Sequence, residues 1–191
     1  MSKTDKREEI VKTSLELITE HGFHGAPMAM IAERSGVAVG TIYRYFESKD
    51  VLIKELFREL EDRIYAVALD GYSTKKPVRE RFIHLGAQIL RFCIANPLEF
   101  RYLEQFHNSP YGVAHRRDKI LGKRDEKNIY CELFEDGISQ HVVKELPMVV
   151  LFDLAFGPLI AVARDHILGF VALDDELILQ TIEACWDGVR R

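Results

Sequence analysis

Apolar residues recur three and four apart along nearly the whole chain, while strict alternation over more than four residues is hard to find; the pattern predicts helices throughout. The first segment, residues 7–21, gathers Ile10, Ser14, Leu17 and Ile18 on one face and Glu8, Lys12, Glu16 and Thr19 on the others, and Gly22 ends it. A short helix follows from Pro27, whose missing N–H and preset φ suit a first helical position, and stops near Ser35-Gly36. A third segment covers residues 40–46. Ser48 then caps a long fourth helix from Lys49 towards Leu69, with Asp50 in the first turn favouring the helix dipole. Beyond Asp70-Gly71 and a linker-like stretch at 72–77, helices are expected at 78–95, 98–106, 115–140, 148–168 and 175–189. The reading is an all-α protein of nine helices with no internal repeat.

Composition narrows the class. A chain of 191 residues with 47% hydrophobic and 29% charged residues makes one or two globular domains and needs no disulfide or metal to hold a core, which excludes disordered, collagen-like and cysteine-stapled proteins. Cys93, Cys131 and Cys185 are far apart and none belongs to a C-x-x-C pair, so buried thiols in a reducing, cytoplasmic compartment are expected. The charged N-terminus has no apolar signal stretch. Residues 147–163 fall short of the ~20 apolar residues of a span and carry Asp153 and Gly157-Pro158, so a buried helix is expected and no membrane partner. No nucleophile–base spacing, Gly-rich phosphate loop or paired metal ligands argue for an enzyme, a cofactor or a metal.

Chemistry concentrates in residues 31–46. Ala32 and Gly36 leave room for two helices to cross closely, and Gly36 supplies the φ > 0 of a tight turn, which makes a helix-turn-helix. Ile31, Val37, Ile42 and Phe46 form the small core that fixes the helices, leaving Thr41, Tyr43, Arg44 and Tyr45 outward. A helix presented in this way fits a DNA major groove, where Arg bonds guanine bidentately and hydroxyls reach phosphates or base edges. Electrostatics alone does not lead there: residues 1–60 hold 9 Lys+Arg against 10 Asp+Glu, so binding depends on local placement of Lys3, Lys6, Arg7, Arg44 and Lys49 and on two copies acting together.

Residues 7–57 resemble the N-terminal domain of the tetracycline-repressor (TetR/AcrR) family of bacterial transcriptional regulators. The resemblance is carried by Ile10-Val11, Leu15-Glu16-Leu17-Ile18 and Glu20-His21-Gly22-Phe23, then Met28, Ile31-Ala32, Gly36-Val37, Gly40-Thr41-Ile42-Tyr43, Tyr45-Phe46, Lys49, Leu52 and Phe57. It implies a TetR-like fold with a three-helix DNA-binding domain at 4–64 and a helical ligand-binding and dimerisation domain at 65–191. Within it, Tyr43, Tyr45 and Lys49 resemble phosphate contacts and Thr41 and Arg44 base-reading positions; Val39, followed by Gly40 in the same DNA-contact set, replaces a commonly polar residue and offers apolar contact to a thymine methyl instead. Ala26 and Ala38 depart from the family's usual Thr or Ser, which removes two backbone contacts.

The resemblance also implies an effector site, for which Phe82, Phe92, Phe100, Phe106, His107, Tyr111, Tyr130 and Phe134 are the candidates, and a small apolar or amphipathic ligand as its occupant. The segment 148–168 is apolar nearly all round, more than one chain covers. With the last helix it fits the family's two-fold four-helix interface, to which Leu151, Leu159, Val162, Ile178, Ile182 and Trp186 are assigned. The expected protein is a homodimeric repressor of a palindromic double-stranded DNA operator released by an inducer. The alternative is a DNA-bound adaptor regulated by a protein partner.

Overall fold

A computed structural model describes residues 3–121 and 128–191. The described residues form ten helices and no strand, one more helix than the sequence pattern predicts. They are α1 (Lys3–Gly25), α2 (Met28–Arg34), α3 (Val39–Tyr43), α4 (Lys49–Leu69), α5 (Val78–Ala95), α6 (Pro97–His107), α7 (Pro110–Leu121), α8 (Ile129–Ser139), α9 (Met148–Ile167) and α10 (Asp175–Val189). The extra helix arises where a single one is expected over 115–140. Asn128 is extended (φ −96°, ψ 113°) and its side chain accepts from the Tyr130 N–H, so α8 has a start of its own; residues 122–127 lie outside the described residues. Pro27 sits one position earlier than expected, as the N-cap of α2 with ψ 155°.

The chain divides into two compact units. The first holds the described residues of Met1–Arg63 and Pro97–Gly122, the second those of Ile64–Asn96 and Lys123–Arg191. α6 and α7 fall in the first unit because they pack with the N-terminal helices. Tyr102 on α6 is fully buried and donates its hydroxyl proton to the Ile53 carbonyl of α4 at 2.7 Å, and burial pushes its pKa upward. Gln105 donates to the Thr19 carbonyl at 3.0 Å, and Phe106 stacks on Phe57 with centroids 3.8 Å apart. Such contacts bridge α6 to α1 and α4. α1 buries Ile10, Ser14, Leu17 and Ile18, and breaks at Gly22 with φ 74°.

In the second unit α5, α9 and α10 pack on one another and α8 closes the group. The close approach of α5 and α10 rests on Gly86, where a Cβ would lie 2.8 Å from Ile182 Cγ2. Phe82 lies 5.2 Å from Trp186 and 5.8 Å from Phe156, and Phe134 and Tyr130 extend the ring cluster through Phe152 and Phe156. A buried charge lies here: Arg81, 2% exposed, donates to Asp136 at 2.6 Å and to the Tyr72 hydroxyl at 2.9 Å. Desolvation opposes the Arg81 charge, and the bonds to Asp136 and Tyr72 outweigh it.

Candidate nucleic-acid interface

The turn between α2 and α3 is made by backbone bonds. The Gly36 N–H reaches the Glu33 carbonyl at 3.2 Å and the Val37 N–H the Ala32 carbonyl at 3.0 Å, the double closure of a Schellman motif with Gly36 at φ 66°. Ser35 adds a bond from its hydroxyl to the Ile31 carbonyl at 2.6 Å. From this turn Ala38 leads into α3 with ψ 144° and no side-chain cap, as its lack of an oxygen requires. Ala26 is fully buried ahead of α2, whose N-cap Pro27 likewise offers no side-chain bond.

A helix of five residues has no stability of its own, since isolated helices need about 12–15 residues. Burial therefore holds α3 in place: Ile42 and Phe46 are 0% exposed, while Val39 is 39% and Tyr43 50% exposed. Gly40 and Arg44 are also exposed, and Thr41, Tyr45 and Val37 are half-buried, so Val37 contributes only part of a core position. The structure thus brings Val39, Gly40, Thr41, Tyr43 and Arg44 together on one helical turn and its end. A Cβ at Gly40 would meet nothing within 4 Å, so no internal packing demands glycine there.

Ser48 caps α4 as the sequence pattern indicates, its Oγ accepting from the Val51 N–H at 3.2 Å. Lys49 follows, half-buried, and its ammonium donates to the Phe23 carbonyl just beyond the break in α1. Burial lowers the Lys49 pKa, with Asp50 pulling the other way. No sequence signal marks this partner, because it is a backbone oxygen 26 residues away. Arg7 differs from its expected role as a local DNA charge. It bonds Glu59 at 2.5 Å and Glu55 at 3.2 Å and lies 5.3 Å from the Phe46 ring centroid, so it ties α1 to α4 and to the residue that seats α3. The hydrogen bond that Arg7 donates to Glu59 raises its pKa most.

The eight effector-site candidates are divided between the two units. Phe100, Phe106, His107 and Tyr111 belong to the first unit, and Phe82, Phe92, Tyr130 and Phe134 to the second. Phe100 and Phe106 are buried, His107 is exposed with its ring edge on Phe57, and Tyr111 donates to Asp50 at 2.6 Å. The six interface candidates lie on the expected helices, and five of them are buried within a single chain. Leu151, Leu159, Ile178, Ile182 and Trp186 are each at most 7% exposed within a single chain and Val162 is half-buried. The large apolar side chains that α9, α10 and the segment between them expose are Val149, Val150, Leu154, Leu168, Phe170 and Leu179.

A short exposed helix seated by two buried side chains behind a Gly-closed turn defines a helix-turn-helix protein. Residues 10–56 match the bacterial regulatory proteins of the tetR family, and residues 77–190 match the tetracyclin repressor-like C-terminal domain. The chain belongs to the TetR family of bacterial transcriptional regulators. It is 26% identical over 191 residues to an uncharacterised HTH-type transcriptional regulator of Haemophilus influenzae, covering 100% of this chain and 98% of that protein. A putative TetR-family transcriptional regulator of Vibrio parahaemolyticus is 32% identical, with a TM-score of 0.77 over 97% of this chain and 99% of that one. The fold is shared with FadR of Bacillus subtilis, solved in complex with stearoyl-CoA, at 20% identity and a TM-score of 0.75 over 95% of this chain and 98% of that one. Family membership makes the protein a regulator and not an enzyme. Among the described residues no helix is long and apolar enough to cross a membrane.

Proposed function

We propose that this regulator is a ligand-responsive repressor that binds a palindromic operator as a homodimer and leaves it when a small apolar or amphipathic effector binds. The observation that carries the DNA reading is the separation of roles on α3 and the residues just after it, where Ile42 and Phe46 are buried in the fold, Val39, Gly40, Tyr43 and Arg44 are exposed and Thr41 is half-buried beside them. In this reading Arg44 and Thr41 meet base edges, Val39 meets a thymine methyl, and Tyr43, Tyr45 and Lys49 contact phosphates. Two copies present two α3 helices to half-sites about one DNA turn apart, and an effector that prefers another separation weakens binding. A coupling of ~1–3 kcal/mol suffices for such a switch.

The dimer reading rests on the outward residues of the last two helices. Leu154 and Leu179 are 42% and 46% exposed, and burying them against a second copy is the favourable use of that surface. The test is enrichment of a random double-stranded DNA pool by the purified protein at about 150 mM salt, a concentration that suppresses phosphate-only binding. A two-fold symmetric site, with preference relaxed at one base per half-site in Arg44→Ala, is the expected result. An enriched site unchanged by Arg44→Ala removes Arg44 from base reading, and no enrichment at any salt removes the DNA reading. Stearoyl-CoA, with which Bacillus subtilis FadR is complexed, goes in the first effector screen against the enriched site.

A further inference from the structure

We propose that Tyr111 is a positioning residue for the phosphate contact at Lys49: its hydroxyl holds the Asp50 carboxylate and its ring supports Phe23, whose carbonyl takes one N–H of the Lys49 ammonium. The inference rests on the DNA-binding reading above and adds to it a residue from α7, outside the helix-turn-helix. An ammonium has three donors, and the bond to the Phe23 carbonyl uses one, leaving two for a phosphate. The same bond fixes where those two point. Asp50 is the disturbing element, a carboxylate next in sequence to the lysine, in the first turn of α4. Free to rotate, it competes with a phosphate for the ammonium and repels the phosphate directly.

The geometry removes that competition. Tyr111 donates its hydroxyl proton to Asp50 Oδ1 at 2.6 Å, committing the carboxylate to α7. Its ring meets Phe23 edge-on with centroids 5.4 Å apart, and Phe23 is also edge-on to the buried Tyr102 at 5.9 Å. One side chain therefore touches both neighbours of Lys49, the acceptor that aims it and the anion beside it. The bond to Asp50 raises the Tyr111 phenol to about 12, so it remains a donor throughout the pH range in which DNA binding is measured. All four residues belong to the first compact unit.

The experiment measures binding of the full chain to a random-sequence 30-base-pair duplex across a salt series, for the wild type, Lys49→Gln, Tyr111→Phe, Asp50→Asn and the Tyr111→Phe/Asp50→Asn double variant, with thermal unfolding beside each. Loss of a phosphate contact at Lys49→Gln lowers the slope of log K against log salt by about 0.9 per contact. Tyr111→Phe keeps the ring and is expected to lower affinity about five- to tenfold at low salt, within the net worth of one ordinary hydrogen bond, and to shift the slope in the same direction. Asp50→Asn in that background is expected to restore affinity to within about twofold, because the competing charge is gone. A merely structural tyrosine gives a salt-independent loss, a lower unfolding temperature and no rescue, and that result overturns the proposal. If Lys49→Gln weakens binding and Tyr111→Phe does not, the positioning role falls while the DNA reading stands. If Lys49→Gln changes nothing, or the wild type does not bind the duplex, the phosphate contact itself falls and the positioning role with it.

Discussion

Two positions three residues apart on α3 test whether fold and recognition are divided as the burial indicates. Ile42 is 0% exposed and Val39 is 39% exposed. Ile42→Ala deletes three carbons from a closed site at ~0.8 kcal/mol each, and the cavity left behind brings the cost to about 3 kcal/mol. The five residues of α3 cannot make up that loss through helix propensity, and 3 kcal/mol is a large share of a total stability of about 5–15 kcal/mol. Ile42→Val removes one carbon and costs about 1 kcal/mol. Val39→Ala lies on the surface and stays within about 0.5 kcal/mol of the wild type in stability, yet on the proposed reading loses an apolar contact to DNA. Urea unfolding gives the stabilities, and titration of an enriched operator site gives the affinities. The expected pattern is a graded stability loss at 42 and an affinity loss at 39 without one. Equal stability losses at the two positions, or an Ile42→Ala protein as stable as the wild type, would refute the division.

Gly86→Ala is expected to destabilise the chain by about 1 kcal/mol: helix propensity returns up to ~1 kcal/mol, but the new Cβ, 2.8 Å from the buried Ile182, costs about 1–3. Chemical denaturation checks the sign, and a stabilised variant removes the close α5–α10 approach. Leu154→Glu and Leu179→Glu are expected to shift the protein to monomers in light scattering without unfolding it, whereas Leu159→Glu, buried within one chain, unfolds it. Asp136→Ala strands a buried guanidinium and is expected to cost about 2 kcal/mol in urea unfolding, below the 3–5 of a wholly buried pair because the Asp136 side chain is 48% exposed. Cys185 is buried and its thiol is pushed up by desolvation, so a thiol reagent is expected to label half-buried Cys131 first, and Cys131→Ser removes the fast phase.

The helix-turn-helix was legible in the sequence because its determinants are local. The Gly36 turn, the Ser48 cap and the spacing of Ile42 and Phe46 all act within a few residues, and periodicity reports them directly. What could not be read depends on distant partners. Tyr102 finds the Ile53 carbonyl 49 residues away and Gln105 the Thr19 carbonyl 86 residues away, and neither carries a mark that assigns α6 to the first unit. Arg7 looks like any N-terminal cation until Glu55 and Glu59 arrive on α4. In α9 the failure has another cause. A helix apolar nearly all round has no stripe to distinguish the face that packs within the chain, here Leu151, Ala155, Leu159 and Ala163, from the face that Leu154 shares with Gly157 and Ala161. The helix is identifiable from such a sequence and its orientation is not.

The seating of α3 also bears on how such regulators diverge. Because Ile42 and Phe46 secure the helix from beneath and a side chain at position 40 would meet nothing, Val39, Gly40, Thr41 and Arg44 form a set that substitution can explore with little penalty to the scaffold. On the proposed reading, a duplicated gene can therefore acquire a new target site by changes at a handful of codons while the rest of the domain stays as it is. The same four positions would then make a compact library for redirecting the protein to a chosen promoter.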